Sequence, residues 1–169
     1  KFDAIIASMS ITEERKKKVA FTNKYYTTPL SLVAPKDSEL TTDPAAFNGK
    51  VMGAQGSTTQ ADYANEHYGK AGAEVKLYPT QEEAITDLIN GRSDAVISDK
   101  FQLMDWLAKS SDGCCKMLGD IAGTETEAGI ALRLGEDALR DRFNAALDAI
   151  RADGTYAKIQ AKYFSFDIY

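Results

Sequence analysis

Six short apolar runs, at residues 2–9, 30–35, 51–55, 74–78, 94–98 and 130–134, alternate with stretches of helical spacing along most of the chain. Such alternation predicts an α/β fold with a largely parallel sheet, because parallel neighbours need a crossover long enough to hold a helix. The helix ends carry their own chemistry. Thr80 and Glu83 form a capping box ahead of Ala84, Ile85, Leu88 and Ile89, and Gly91 stops that helix before Asp94 opens the next strand. Thr12 is a second N-cap, followed by Glu13 and Glu14 in the first turn, where the helix dipole favours acids. Leu139, Phe143, Leu147 and Ile150 share one face of a helix closed by Gly154, and Tyr156, Ile159 and Tyr163 give a shorter stripe.

One hexapeptide pattern recurs almost position for position, Asp3-Ala4-Ile5-Ile6-Ala7-Ser8 being matched by Asp94-Ala95-Val96-Ile97-Ser98-Asp99. The repeat predicts two similar α/β lobes. The second copy is preceded by a capped helix, whereas the chain opens directly in the first copy, read as a buried strand over 2–9. A fragment is therefore expected, its upstream part missing or on another chain. Residues 27–32, with Pro29, and residues 123–129 read as two crossings between lobes. They delimit a continuous central lobe at 28–127 and a split, incomplete lobe at 1–27 and 128–169. Ligands of open α/β sheets bind beyond the carboxyl ends of strands. Those ends carry Ser8 in one copy and Asp99 in the other, so a cleft lined by both lobes is expected.

Composition excludes several functions. With 169 residues, 44% hydrophobic and 27% charged, the chain can bury a core in one domain or two small ones, and it is too apolar for disorder. No run approaches the roughly 20 apolar residues of a membrane span. A net charge of -5 disfavours nucleic acid as a partner. The single histidine, His67, sits mid-helix with no acid or serine motif around it, so no triad is expected. One histidine and two adjacent cysteines exclude a histidine-rich metal site or a four-ligand zinc site in the monomer. Cys114 and Cys115 read as loop residues; a bridge between neighbours is strained, which leaves free thiols or an intermolecular link.

Three places can carry recognition chemistry. Ser8, Ser10 and Arg15 surround a strand end and a helix start, where an arginine can grip a carboxylate in bidentate fashion or merely sit on a solvated face. Ser57 and Thr58 follow Gly56 before a helix; they can donate to a small anion or simply cap that helix. One glycine and no following lysine exclude a phosphate-binding P-loop. Asp99 ends an apolar strand and can either pair with an ammonium or cap the next helix. Tyr25, Tyr26, Phe143, Tyr163 and Phe164 read as core or crossover packing, and Lys16-Lys17-Lys18 as a solvated helix face.

The segments Phe2-Asp3-Ala4-Ile5-Ile6-Ala7-Ser8-Met9-Ser10-Ile11-Thr12 with Arg15, then Ala20-Phe21-Thr22, Gln55-Gly56-Ser57-Thr58, Gly91-Arg92-Ser93-Asp94-Ala95-Val96, Asp153-Gly154-Thr155-Tyr156 and Lys162-Tyr163-Phe164 stand in the order of one family. The chain resembles the polar amino-acid periplasmic binding proteins of ABC importers over essentially its whole length. The branch that it is similar to takes lysine, arginine, ornithine, histidine or opines. The resemblance implies a type II periplasmic binding protein fold, two α/β lobes on a two-strand hinge, with the first lobe truncated at its N-terminus. It also implies capture of a polar, cationic L-amino acid outside the cytoplasm by hinge closure, delivery to an ABC permease, and no cofactor. By the same resemblance Arg15 holds the ligand carboxylate, with Ser10 and the Ser57/Thr58 loop assisting, and Asp99 and the Ser8 region take the ammonium. Ala7 and Thr59 depart from the serine and glutamine common in the family, on the side of the ligand side chain. Two rival readings remain: an enzyme of dehydratase type on the same scaffold, with Asp99 as its acid or base, and a remnant that folds but binds nothing. If these 169 residues are the whole molecule, a homodimer or domain-swapped assembly is expected, because the split lobe would lack its first strands.

Overall fold

The computed structural model describes residues 2–169, and Lys1 lies outside them. In chain order the elements are β1 (Ala4–Ile5), α1 (Glu13–Lys16), β2 (Ala20–Thr28), β3 (Leu30–Pro35), β4 (Val51–Gln55), α2 (Thr59–Tyr63), β5 (Glu74–Tyr78), α3 (Gln81–Ile89), β6 (Ala95–Asp99), α4 (Lys100–Lys109), β7 (Cys115–Asp120), β8 (Thr126–Leu132), α5 (Asp137–Ala152) and α6 (Thr155–Gln160). A 3-10 turn at Pro44–Phe47 precedes β4, and α2 runs on into a π-helical segment, Ala64–Gly69. The chain divides into a continuous unit, Pro29–Glu125, and a split unit made of Lys1–Thr28 and Thr126–Tyr169.

The continuous unit is built on a five-stranded sheet in the order β5-β4-β6-β3-β7. β4 pairs in parallel with β5 and β6, whereas β3 runs antiparallel to both β6 and β7. The sheet is thus mixed, not largely parallel as the alternation predicts. Four strands point the same way, linked by crossovers; β3 arrives from the split unit through Pro29 and lies reversed between β6 and β7. Strand periodicity sorts the side chains onto two faces. Leu30, Leu32, Met52 and Ile97 pack on one side with Phe47 and Tyr68, and Val33 and Val96 on the other with Leu88 and Leu103. Burial of this kind contributes roughly 1.5–3 kcal/mol for each large aliphatic side chain.

β7 was not legible as a strand. Its first residue, Cys115, is buried and opposite Pro35, so only Cys114 belongs to the loop in which both cysteines are expected. Both thiols are free. Burial, reinforced by the neighbouring Cys114, pushes the Cys115 thiol up to about 12, which makes it a poor nucleophile.

The split unit holds a three-stranded antiparallel sheet, β1-β8-β2. The buried strand expected over 2–9 is only the two residues of β1, and it is not buried: Phe2 is 81% and Ile6 67% exposed. The two copies of the hexapeptide differ in their neighbours. β6 has a strand on either side and all five of its residues are buried, while β1 has β8 on one side alone. β2 pairs with β8 through two irregularities, at Phe21/Lys24 and Lys24/Tyr26, and at this bulge Thr22 Oγ1 accepts the Ile130 N–H at 3.0 Å. α5 packs on β2, where Asn144 Oδ1 accepts the Asn23 N–H at 2.8 Å, and Tyr156 of α6 donates its hydroxyl to the Tyr25 carbonyl at 2.6 Å. The stripe expected beyond Tyr156 does not form a core face: Ile159 and Tyr163 are exposed.

Candidate functional site

In the split unit, residues 9–11 lie along β8. The Gly129 N–H donates to the Met9 carbonyl at 3.1 Å, the Ile11 N–H to the Glu127 carbonyl at 2.8 Å, and Ser10 bridges Ala128. Gly129 makes this approach possible, since a Cβ there would stand 2.8 Å from Ile11 Cδ1. Ser10 is consequently 3% exposed. Thr12 caps α1 by accepting the Arg15 N–H at 3.2 Å, and the single helical turn carries the Arg15 side chain back so that Nη1 donates to the Ser10 carbonyl at 3.0 Å. Ser10 and Arg15 thus form one cluster.

Ser8 is held separately, by Tyr25. The residue is not at the end of a strand, because β1 stops at Ile5; it adopts the left-handed conformation, φ 53, and its N–H donates to the Tyr25 hydroxyl at 2.8 Å. A non-glycine residue at positive φ costs free energy and persists only where its surroundings hold it. Tyr25, expected as packing only, supplies that hold.

In the continuous unit the parallel pairing of β4 with β6, Met52 opposite Ala95 and Gly53 opposite Val96, puts the carboxyl ends of both strands on one edge of the sheet. Ser57 follows β4 there, exposed and left-handed with φ 61. Thr58 caps α2: its hydroxyl accepts the Ala61 N–H at 3.1 Å and donates to the Gln55 carbonyl at 2.6 Å. With its one proton committed, the Thr58 hydroxyl can accept but not donate, so an anion here would meet the backbone N–H groups and the Ser57 hydroxyl.

Asp99 ends β6 and is 2% exposed. It stands at the N-cap position of α4 without a side-chain capping bond, so the capping reading of this acid does not apply. Instead its Oδ1 accepts from Gln60 Nε2 at 2.8 Å, and the Gln60 amide is itself held by the Thr59 hydroxyl at 3.3 Å. Gln60 is the residue that sequence reasoning missed; only the adjacency of β4 and β6 links it to an acid 39 positions away. Next to this edge, Asp120 accepts from Ser31 Oγ at 2.6 Å and from Lys100 Nζ at 2.7 Å. Burial works to raise the Asp120 carboxyl, but the Lys100 ammonium and the Ser31 hydroxyl outweigh it and hold it below the ordinary carboxylate range.

Among the described residues there is no cluster of histidine, cysteine, aspartate or glutamate able to hold a metal ion, and no helix is long and apolar enough to cross a membrane. His67 is exposed and stacks on Tyr63, with ring centroids 4.0 Å apart.

Residues 1–166 match the sequence profile of bacterial extracellular solute-binding proteins, family 3. The L-arginine-binding protein of Pseudomonas aeruginosa is 44% identical over 176 residues, a match covering 100% of this chain and 67% of that protein. The histidine-binding periplasmic protein of Salmonella typhimurium is 37% identical over 174 residues with the same coverage. Among solved structures, an ancestral arginine-binding protein bound to arginine superposes with a TM-score of 0.88 at 32% identity, over 96% of this chain and 72% of that one.

Proposed function

The chain belongs to the bacterial extracellular solute-binding proteins of family 3, and from that premise we propose that it captures a polar, cationic L-amino acid, of the arginine, lysine, ornithine, histidine or opine kind, for delivery to an ABC permease. The observation that carries this reading is the buried Asp99 carboxylate, held by Gln60 at the carboxyl edge of β6. A carboxylate held in one orientation at that place is a fitting acceptor for a ligand ammonium, which is the cationic group the reading supplies. The other end of a zwitterion falls to Arg15, whose guanidinium is held by the Ser10 carbonyl. Ser8, Ser10 and the Ser57/Thr58 turn complete the polar contacts, Thr58 through its backbone. The names of the arginine- and histidine-binding relatives support the ligand class, and the word periplasmic in one of them supports a location outside the cytoplasm.

This chemistry is binding without a covalent step, so incubation returns the ligand unchanged. A thermal-shift panel of L-arginine, L-lysine, L-ornithine, L-histidine and L-glutamine tests the reading. A ligand at 100 times its Kd stabilises by about 2.7 kcal/mol, which raises Tm by roughly 5–11 °C in a chain of this size. Such a rise with a cationic amino acid, absent in Arg15→Ala, is the expected result. A cooperative melt that no member of the panel moves would overturn the reading.

A further inference from the structure

We propose that Gln60 is the positioning residue for the ammonium end of the ligand, acting through Asp99; the inference rests on the amino-acid reading of the site. Asp99 is 2% exposed, and a buried carboxylate stays charged and keeps one orientation only where donors are aimed at it. The Gln60 amide is such a donor, with Nε2 at 2.8 Å from Asp99 Oδ1. Its orientation is set, because Gln60 Oε1 accepts from the Thr59 hydroxyl at 3.3 Å, which turns the NH₂ group toward the acid.

The placement follows from topology. Gln60 lies in the first turn of α2 and Asp99 immediately before α4, and the parallel pair β4–β6 brings these two helix starts to one sheet edge. The amide links the first turn of α2 to the acid that ends β6, and it holds the carboxylate from the side of α2. Truncating it leaves the acid in the same burial with one donor fewer. The ligand ammonium then meets a carboxylate that is less well oriented, and binding must supply the ordering that Gln60 otherwise provides.

A double-mutant cycle on L-arginine binding separates this role from helix packing. Gln60→Met, and Gln60→Leu as a second side chain without donors, are each expected to weaken L-arginine by about tenfold. The same changes in an Asp99→Asn background, where there is no carboxylate to orient, are expected to shift the residual affinity by less than about twofold. Circular dichroism and a cooperative melt identify which variants are folded. Equal losses in both backgrounds would show a packing role and overturn the proposal while leaving the amino-acid reading intact. A parent chain that binds none of the cationic amino acids would overturn that reading, and the role of Gln60 with it.

Discussion

Gly129 and Ser8 show how single backbone positions shape the Ser10–Arg15 region of the split unit. Gly129 lets residues 9–11 lie on β8, and Ser8 turns away from the strand in the left-handed region. Replacing Gly129 by alanine would push its Cβ against Ile11 and move Ser10, whose carbonyl holds Arg15. The expected cost is about 1–3 kcal/mol, read by urea unfolding, together with a weaker thermal shift by the ligand. The cysteines give a second expectation at this scale. Cys115 is buried with its thiol pushed up to about 12, first by burial and then by Cys114. A maleimide at neutral pH is therefore expected to label the native chain once, at Cys114, and twice only after unfolding; two rapid labels in the native state would contradict this.

At the scale of elements, α3 and β6 were legible in the sequence, whereas of β1 only the existence of a strand was, and not its short length or its exposure. The Thr80 cap, the apolar spacing of α3 and the stop at Gly91 are local signals, and the structure keeps them: Thr80 accepts the Glu83 N–H at 3.2 Å. β1 lies in a hexapeptide similar to that of β6, but burial is decided by flanking strands, and strand order is not a local property. β2 and β7 went unread because bulges and a cysteine pair hide their alternation. The candidate site divides in the same way. The Thr58 cap could be seen in sequence, whereas the Gln60–Asp99 bond depends on β4 lying beside β6.

The element joining α3 to β5 supplies a test in acid. Asp87 accepts from Arg92 Nε at 2.7 Å and from the Tyr78 hydroxyl at 2.7 Å. The Arg92 guanidinium first, and then Tyr78, hold its carboxyl down at about 2, against the opposing effect of burial. Because the folded value is lowered from 3.8, the stability that Asp87 contributes is complete above that value and is lost as pH falls toward about 2. Asp87→Asn is expected to flatten the acid-unfolding curve in that window, followed by circular dichroism; an unchanged curve would remove Asp87 from the account. Core packing is tested in the same unit by Leu32→Ala, expected to cost about 2–5 kcal/mol.

For the whole molecule, stability and recognition are distributed unevenly. Both apolar clusters of buried residues belong to the continuous unit, while the split unit leaves Phe2, Ile6 and Leu134 more than half exposed. The side chains proposed for recognition form one cluster within each unit, Arg15 with Ser10 in one and Asp99 with Gln60 in the other. The proposed reading assigns Arg15 to the carboxylate end of the ligand and Asp99 to its ammonium end. Titration calorimetry with L-arginine on the parent chain, Arg15→Ala and Asp99→Asn tests it most directly. One site per chain is expected in the parent, and a loss of roughly 30-fold or more from either substitution, as for removing one partner of a desolvated charge pair. Binding that survives both substitutions unchanged would contradict it.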